Sequence, residues 1–217
     1  MAVTVKICGI TNLDDALVAV RAGAEALGFV FHRDSPRYVE SEMVRQIILQ
    51  LPPLVLTVGV FVNAEQKVVR DLMDRCGLAL AQLHGDETAI YCETLGRPTL
   101  KAIRLRSRSD FLAISELFGR AQVRGILVDG FSEQAHGGTG SLADWELAAE
   151  AAKVGPVLLA GGLTTENINE AIRKVRPYGV DVSSGVESSP GKKNAAKVQA
   201  FISSAKLASK DSGIYTP

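Results

Sequence analysis

Val3-Thr4-Val5-Lys6-Ile7-Cys8-Gly9, close to the N-terminus, is a short apolar run that ends in a cysteine and a single glycine. Its β-branched residues predict a strand, and Gly9 has no side chain to cover the thiol at the strand's carboxyl tip. A doubly wound open sheet carries a glycine-rich fingerprint after its first strand. Gly9 stands alone here, so the run favours a different arrangement of parallel strands.

Seven more apolar runs follow along the chain, and segments with helical spacing separate them. They are Ala26–Phe31, Leu54–Val60, Leu78–Leu83, Thr99–Ile103, Gly125–Val128, Pro156–Ala160 and Gly179–Val182. The runs are continuous rather than alternating, as expected for strands buried on both faces. Eight strands, each followed by a helix, predict an α/β fold, a single-domain (β/α)8 TIM barrel over residues 1–207. The Ser-, Lys- and Gly-containing segment 208–217 predicts a disordered or loosely packed tail.

Composition excludes several classes of partner. The 217 residues include 24 Lys+Arg and 24 Asp+Glu, so no bulk charge favours nucleic acid or an anionic membrane. No N-terminal signal pattern or apolar run of transmembrane length is present. Three cysteines, an odd number without metal-ligand spacing, predict a reduced, cytoplasmic setting.

Unusual residues concentrate after the predicted strands, where a barrel places its working face. Gly161 and Gly162 follow the seventh strand, and Ser184 and Gly185 follow the eighth. Glycines let backbone N–H groups approach an anion closely, and these two loops commonly form the phosphate site of a barrel. Glycine pairs that merely turn the chain are the alternative. Their joint position predicts a phosphorylated small-molecule ligand.

Two further loops carry charged candidates. Asp129 ends the sixth strand, a position suited to a general acid, although a cap or a loop-fixing hydrogen bond also fits aspartate. The glycine-rich segment Gly130–Gly140 that follows predicts a mobile cover over the site. Arg37, after the second strand, can present a planar fork to a ligand carboxylate, although a solvated surface arginine is the usual alternative.

Lys6 shares the inward strand face with Cys8, and an unpaired ammonium inside a barrel is unfavourable. Strand eight closes against strand one and offers Asp181, so we expect a Lys6–Asp181 pair that favours the thiolate of Cys8. His84, after the fourth strand, is expected to support the site rather than to react. The three histidines lie on separate loops without zinc spacing, so no metal site is expected.

Lys6-Ile7-Cys8-Gly9-Ile10-Thr11 resembles the opening signature of the phosphoribosylanthranilate isomerase family of tryptophan biosynthesis. The resemblance continues, in order, through Leu27–Phe31, Ser35–Tyr38, Val58–Asn63, Gln82–Gly85, Gly138–Gly140, Ala160–Leu163 and Asp181–Glu187. It covers nearly the whole chain, which makes it far more specific than any single motif.

The resemblance implies a cofactor-free Amadori rearrangement, an aldose–ketose isomerisation of N-(5-phosphoribosyl)anthranilate. It implies Cys8 as general base, Asp129 as general acid and Arg37 as the partner of the anthranilate carboxylate. Glycines of the last two loops and Ser184 would hold the phosphate, in a monomer or homodimer. The alternatives are another sugar-phosphate isomerase or epimerase, or a non-catalytic barrel that binds a phosphorylated ligand.

Overall fold

A closed barrel of eight parallel strands forms the centre of the computed structural model, which describes residues 3–105, 110–129 and 145–211. The strands are β1 Thr4–Cys8, β2 Ala26–Val30, β3 Leu56–Phe61, β4 Leu80–Leu83, β5 Thr99–Arg104, β6 Val123–Asp129, β7 Val157–Leu159 and β8 Gly179–Val182. The helices are α1 Leu13–Ala22, α2 Ser41–Ile48, α3 Gln66–Cys76, α4 Ala89–Thr94, α5 Asp110–Phe118, α6 Trp145–Ala151, α7 Ile168–Val175 and α8 Ala195–Asp211. The predicted (β/α)8 barrel is confirmed.

The barrel closes where β1 pairs with both β2 and β8, with Lys6 opposite Asp181 in the register. Alternate residues of each strand point outward and inward. The outward ones, such as Val5 and Ile7, join the large core under the helices. The inward ones form smaller clusters, of which Leu100, Ala102, Leu127 and Ala160 are one. Apolar side chains therefore fill part of the barrel interior in the described strands.

A short hairpin distinguishes the loop after β8 from the other loops among the described residues. A 3₁₀ turn at Ser184–Val186 leads into β9, Glu187–Ser189, which pairs with β10, Lys192–Lys193. The Thr11 hydroxyl donates to the Gly191 carbonyl at 2.6 Å, and the Lys193 amide donates to Asp15 at 2.9 Å. The hairpin thereby ties the last loop to the loop after β1.

Helix α8 extends past residue 208. It continues to Asp211, and Ala208 and Ser209 are buried. Apolar contact of Ala208 with the main core accounts for the longer helix. Residues 212–217 and the predicted cover Gly130–Gly140 lie outside the described residues. Within the described ranges, no helix has the length and hydropathy to cross a bilayer.

Candidate active site at the carboxyl ends of the strands

A buried ion pair lies beneath the thiol of Cys8, the last residue of β1. Lys6 Nζ donates to Asp181 Oδ1 at 2.9 Å, and the two side chains are only 1% and 8% exposed. Burial opposes the charge on Lys6, but Asp181 and Cys8 outweigh it and raise the pKa of the ammonium. The pairing expected from the sequence is therefore present.

The ion pair changes the pKa of the Cys8 thiol less than the burial of that thiol does. Burial raises the pKa of Cys8, and the nearby ammonium groups of Lys6 and Lys193 lower it without cancelling that increase. Asp181 adds to the increase. Lys6 therefore acts in the expected direction, but the pKa of the thiol still lies above its ordinary value.

Gly28, on the neighbouring strand, makes room for both groups. A Cβ at this position would lie 2.7 Å from Cys8 Sγ and 3.0 Å from Lys6 Nζ, closer than side chains tolerate. Any larger residue on β2 would push the thiol or the ammonium out of place. The absence of a side chain here is a steric requirement of the site.

Asp129 lies at the end of β6 and is held by a chain of hydrogen bonds from β4. His84 Nε2 is 3.1 Å from Asp129 Oδ2, and the two side chains are 23% and 24% exposed. On the other side of the ring, Gln82 Nε2 is 2.8 Å from His84 Nδ1. His84 therefore supports a candidate site residue directly, while the amide of Gln82 supports the histidine.

Arg37 forms a network that the sequence did not indicate. Its Nε and Nη2 donate to the two oxygens of Glu187 at 2.9 and 2.8 Å, and Lys193 Nζ donates to Glu187 Oε1 at 2.8 Å. Burial opposes ionisation of Glu187, but hydrogen bonds from Arg37 and Lys193 outweigh it and hold the pKa below its ordinary value. The side of the guanidinium that carries Nε and Nη2 is thus occupied by Glu187.

The side chain of Arg37 also packs directly against Gly9, the residue after Cys8. Gly9 has a φ of +77°, and a Cβ there would lie 2.6 Å from Arg37 Cδ and 3.0 Å from Ser183 Oγ. The stem of Arg37 therefore packs across the backbone next to Cys8. A left-handed glycine is needed at this position both for the backbone and for the arginine.

The two loops predicted to bind phosphate touch each other. Gly161 and Gly162 have φ values of +81° and +65°. A Cβ on Gly185 would lie 2.0 Å from the carbonyl oxygen of Leu163, so the loop after β8 packs directly on the loop after β7. Asn167 stiffens the latter by donating to the Gly162 carbonyl at 2.8 Å. Glycines carry no side chain, so the backbone N–H groups of this loop can be approached closely by an anion.

Most of the residues predicted from the sequence end a parallel strand, as Cys8 and Asp129 do, or follow one, so they lie at one end of the barrel. Lys6 and Asp181 lie deeper, within β1 and β8. Sequence reasoning missed three buried polar side chains in that region, those of Gln82, Glu187 and Lys193. Two successive lysines, Lys192 and Lys193, are typical of an exposed segment. Lys193 is nevertheless buried, because it lies in the hairpin. Within the described part of the chain, no group of three histidine, cysteine or acidic residues is arranged to hold a metal.

Comparisons with known proteins agree on one family. Residues 5–204 match the family described as N-(5'phosphoribosyl)anthranilate (PRA) isomerase. The N-(5'-phosphoribosyl)anthranilate isomerase of Geobacter sulfurreducens is 52% identical over 204 residues, which are 94% of this chain and 98% of the relative.

Solved structures give the same answer. A crystal structure of a phosphoribosyl anthranilate isomerase in complex with reduced 1-(o-carboxyphenylamino)-1-deoxyribulose 5-phosphate is 40% identical. Its TM-score is 0.84, over 94% of this chain and 99% of that chain. Monomers generated from the dimeric phosphoribosylanthranilate isomerase of Thermotoga maritima are 39% identical with a TM-score of 0.82, over 94% and 98% of the two chains. The chain therefore belongs to the N-(5'-phosphoribosyl)anthranilate isomerase family, as its signature residues predicted.

Proposed function

We propose that this protein isomerises N-(5-phosphoribosyl)anthranilate to 1-(2-carboxyphenylamino)-1-deoxyribulose 5-phosphate in tryptophan biosynthesis. The observation that carries the proposal is the position of Cys8 and Asp129 at the ends of β1 and β6, on one mouth of a closed barrel. An aldose–ketose isomerisation of this kind needs one acid and one base on a substrate with two anionic ends. The family membership supports the same reaction.

Asp129 acts as the general acid in this proposal. Its carboxyl group protonates the ring oxygen of the ribose, and the C1–O bond breaks to give an open-chain iminium ion. The hydrogen bond from β4 through His84 supports this role, since it holds one oxygen of the carboxyl group in a fixed place. A general acid must be oriented towards the atom that it protonates.

Cys8 acts as the general base. Its thiolate removes the proton from C2 of the iminium ion, which gives an enolamine that tautomerises to the ketone. Because burial raises the pKa of this thiol, the thiolate depends on the positive charges around it. Lys6 and Lys193 both lower the pKa, and a cationic iminium at C1 adds a further charge that favours the thiolate.

The two anionic ends of the substrate are held by different groups on the loops after β2, β7 and β8. The outer end of the Arg37 guanidinium, beyond the contact with Glu187, takes the anthranilate carboxylate. The phosphate lies against the N–H groups of Gly161, Gly162 and Gly185 and the hydroxyl of Ser184. The close packing of Gly185 on Leu163 supports a single phosphate site built from both loops.

A fluorescence assay tests the proposal. The purified chain is mixed with phosphoribosylanthranilate, and loss of the substrate's fluorescence is followed alongside chromatographic identification of the ketose product. We expect turnover that saturates with substrate. An unchanged signal at high enzyme concentration would reject the reaction and leave another sugar-phosphate isomerase or a non-catalytic phospholigand barrel, neither of which the comparisons favour.

Oligomeric state and location are part of the same proposal. A monomer or homodimer agrees with the dimeric Thermotoga maritima relative and the monomers derived from it, and light scattering at assay concentration distinguishes the two. The three cysteines are free and buried, which suits a reducing cytoplasm. Fractionation of cells that express the tagged chain checks that location.

A further inference from the structure

Gln82 is a polar residue in an apolar part of the barrel interior. It is 1% exposed, and its register partners on the neighbouring strands are Val60 and Leu100. Its Nε2 reaches His84 Nδ1 at 2.8 Å, while its Oε1 is buried and has no hydrogen-bond partner among the residues that the structure describes. An unpaired buried amide oxygen is unfavourable, so its retention at this position needs a reason beyond packing.

The amide nitrogen of Gln82 decides which nitrogen of His84 carries the proton. An amide NH₂ group only donates, so Nδ1 of the imidazole must accept and carries no hydrogen. The ring proton of the neutral imidazole then lies on Nε2, which points at Asp129 Oδ2. His84 is anchored as well, because its backbone N–H donates to the Phe61 carbonyl at 2.8 Å.

We propose that Gln82 and His84 are positioning residues that select the oxygen of Asp129 from which the acid proton is delivered. Gln82 keeps His84 as a neutral Nε2–H donor, and this donor occupies Oδ2. The proton of the acid form therefore lies on Oδ1, the oxygen that His84 does not occupy. The inference rests on the proposed role of Asp129 as the acid.

The proton transfer needs no change in the histidine. In the acid form, Oδ2 is the carbonyl oxygen and accepts from His84, while Oδ1–H donates to the ring oxygen of the ribose. The proton moves from Oδ1 to that oxygen as its bond to C1 breaks. The resulting carboxylate still accepts from His84 at Oδ2. If Nδ1 also carried a proton, His84 would be an imidazolium and would hold Asp129 in the carboxylate form.

Among the described residues, Arg104 on β5 is a further charged group close to Asp129. It pairs with Asp129 in the β5–β6 register and is exposed, whereas Gln82 is buried. Substitutions of Gln82 change the inner contact and leave Arg104 in place.

Nitrogen NMR of the histidines tests the proton position without substrate. The chain has only three histidines, so a ¹⁵N-histidine sample gives three imidazoles, and H84Q identifies the signal of His84 by its loss. At neutral pH we expect Nε2 protonated and Nδ1 unprotonated in the wild type. In Gln82→Glu, an isosteric acceptor faces Nδ1, and we expect that nitrogen to be protonated. A protonated Nδ1 in the wild type, or an unprotonated one in Gln82→Glu, would overturn the proposal.

Kinetics then distinguish positioning from packing. We expect Gln82→Glu to lower kcat about 100-fold with KM within about twofold, since a misplaced proton on an orienting histidine acts on the chemical step. Gln82→Met removes the donor without imposing the opposite proton position, and we expect a loss of less than about tenfold. His84→Gln retains an N–H donor and should keep more activity than His84→Leu. Equal kcat in His84→Leu and wild type would contradict the inference.

Failure of this inference is separate from failure of the proposed function. If the wild type does not isomerise phosphoribosylanthranilate, the function is rejected and the NMR result still reports the proton on His84. If the wild type isomerises the substrate and His84 carries its proton on Nδ1, the function stands and the positioning role is rejected.

Discussion

Substitution of Lys6 by methionine perturbs the ion pair inside the barrel most directly. Methionine matches the length of the aliphatic stem but leaves the Asp181 carboxylate, 8% exposed, without its cation. Removal of one partner of a buried pair costs about 3–5 kcal/mol, because the remaining charge is unpaired in a poorly solvated place. For an m-value of about 2–3 kcal/mol/M, the urea midpoint should fall by about 1–2.5 M.

The measurement is urea unfolding followed by far-ultraviolet circular dichroism, on four proteins of a double-mutant cycle. The variants are Lys6→Met, Asp181→Asn and the two together. We expect the double variant to be less destabilised than the sum of the single ones by about 1–3 kcal/mol. Lys174→Met is the control, because its pair with Glu170 is exposed on α7 and is worth about 0.2–1 kcal/mol.

The same substitution has a second readout at the thiol. Lys6 lowers the pKa of Cys8, so its removal should leave less thiolate at a given pH and slow alkylation of Cys8 by iodoacetamide. Mass spectrometry separates Cys8 from the other two cysteines. A Lys6→Met protein that unfolds within about 1 kcal/mol of the wild type and is alkylated at the same rate would refute the reasoning.

Three further predictions follow from single contacts. Gly185→Ala must displace the Leu163 carbonyl, so KM for the phosphorylated substrate should rise about tenfold or more, and an unchanged KM would argue against a phosphate site at this contact. Gly28→Ala should lower kcat and reduce the free energy of unfolding by about 1–3 kcal/mol. Gly119→Ala is the control, because a Cβ at Gly119 meets only ordinary contacts. Equal kcat and equal stability in the two variants would contradict the steric argument. The pKa of Glu187 is lowered in the folded protein, so the ionised side chain stabilises the fold at pH values above the pKa of glutamate in the unfolded chain. This stabilisation is lost as the pH falls through the folded-state pKa. The difference in urea midpoint between wild type and Glu187→Gln should therefore narrow below about pH 4.5, and a constant difference would contradict the sign.

The sequence predicted the barrel and its working end because these depend on local patterns. Eight apolar runs and the glycines after them are visible without tertiary information, and so are Cys8 and Asp129 at strand tips. The pairing of Lys6 with Asp181 also followed, since barrel closure places the first and last strands side by side.

The remaining features depend on contacts between distant segments. Glu187 holds Arg37 across 150 positions of sequence, and Lys193 is buried only because β9 and β10 fold back over the loop after β1. The raised pKa of Cys8 is a balance between burial and two ammonium groups, which spacing along the chain does not report. Ala208 packs on the core, a contact that the composition of its own segment does not indicate.

Turnover of phosphoribosylanthranilate by Cys8→Ser and Asp129→Asn tests the central claim most directly, with Cys76→Ser as the matched control on α3. General acid and base groups contribute about 10²–10⁴-fold each. The account predicts that each of the two variants loses kcat by at least about 100-fold while it still binds the reduced product analogue. Cys76→Ser should retain wild-type turnover. Wild-type kcat in either Cys8→Ser or Asp129→Asn would contradict the account.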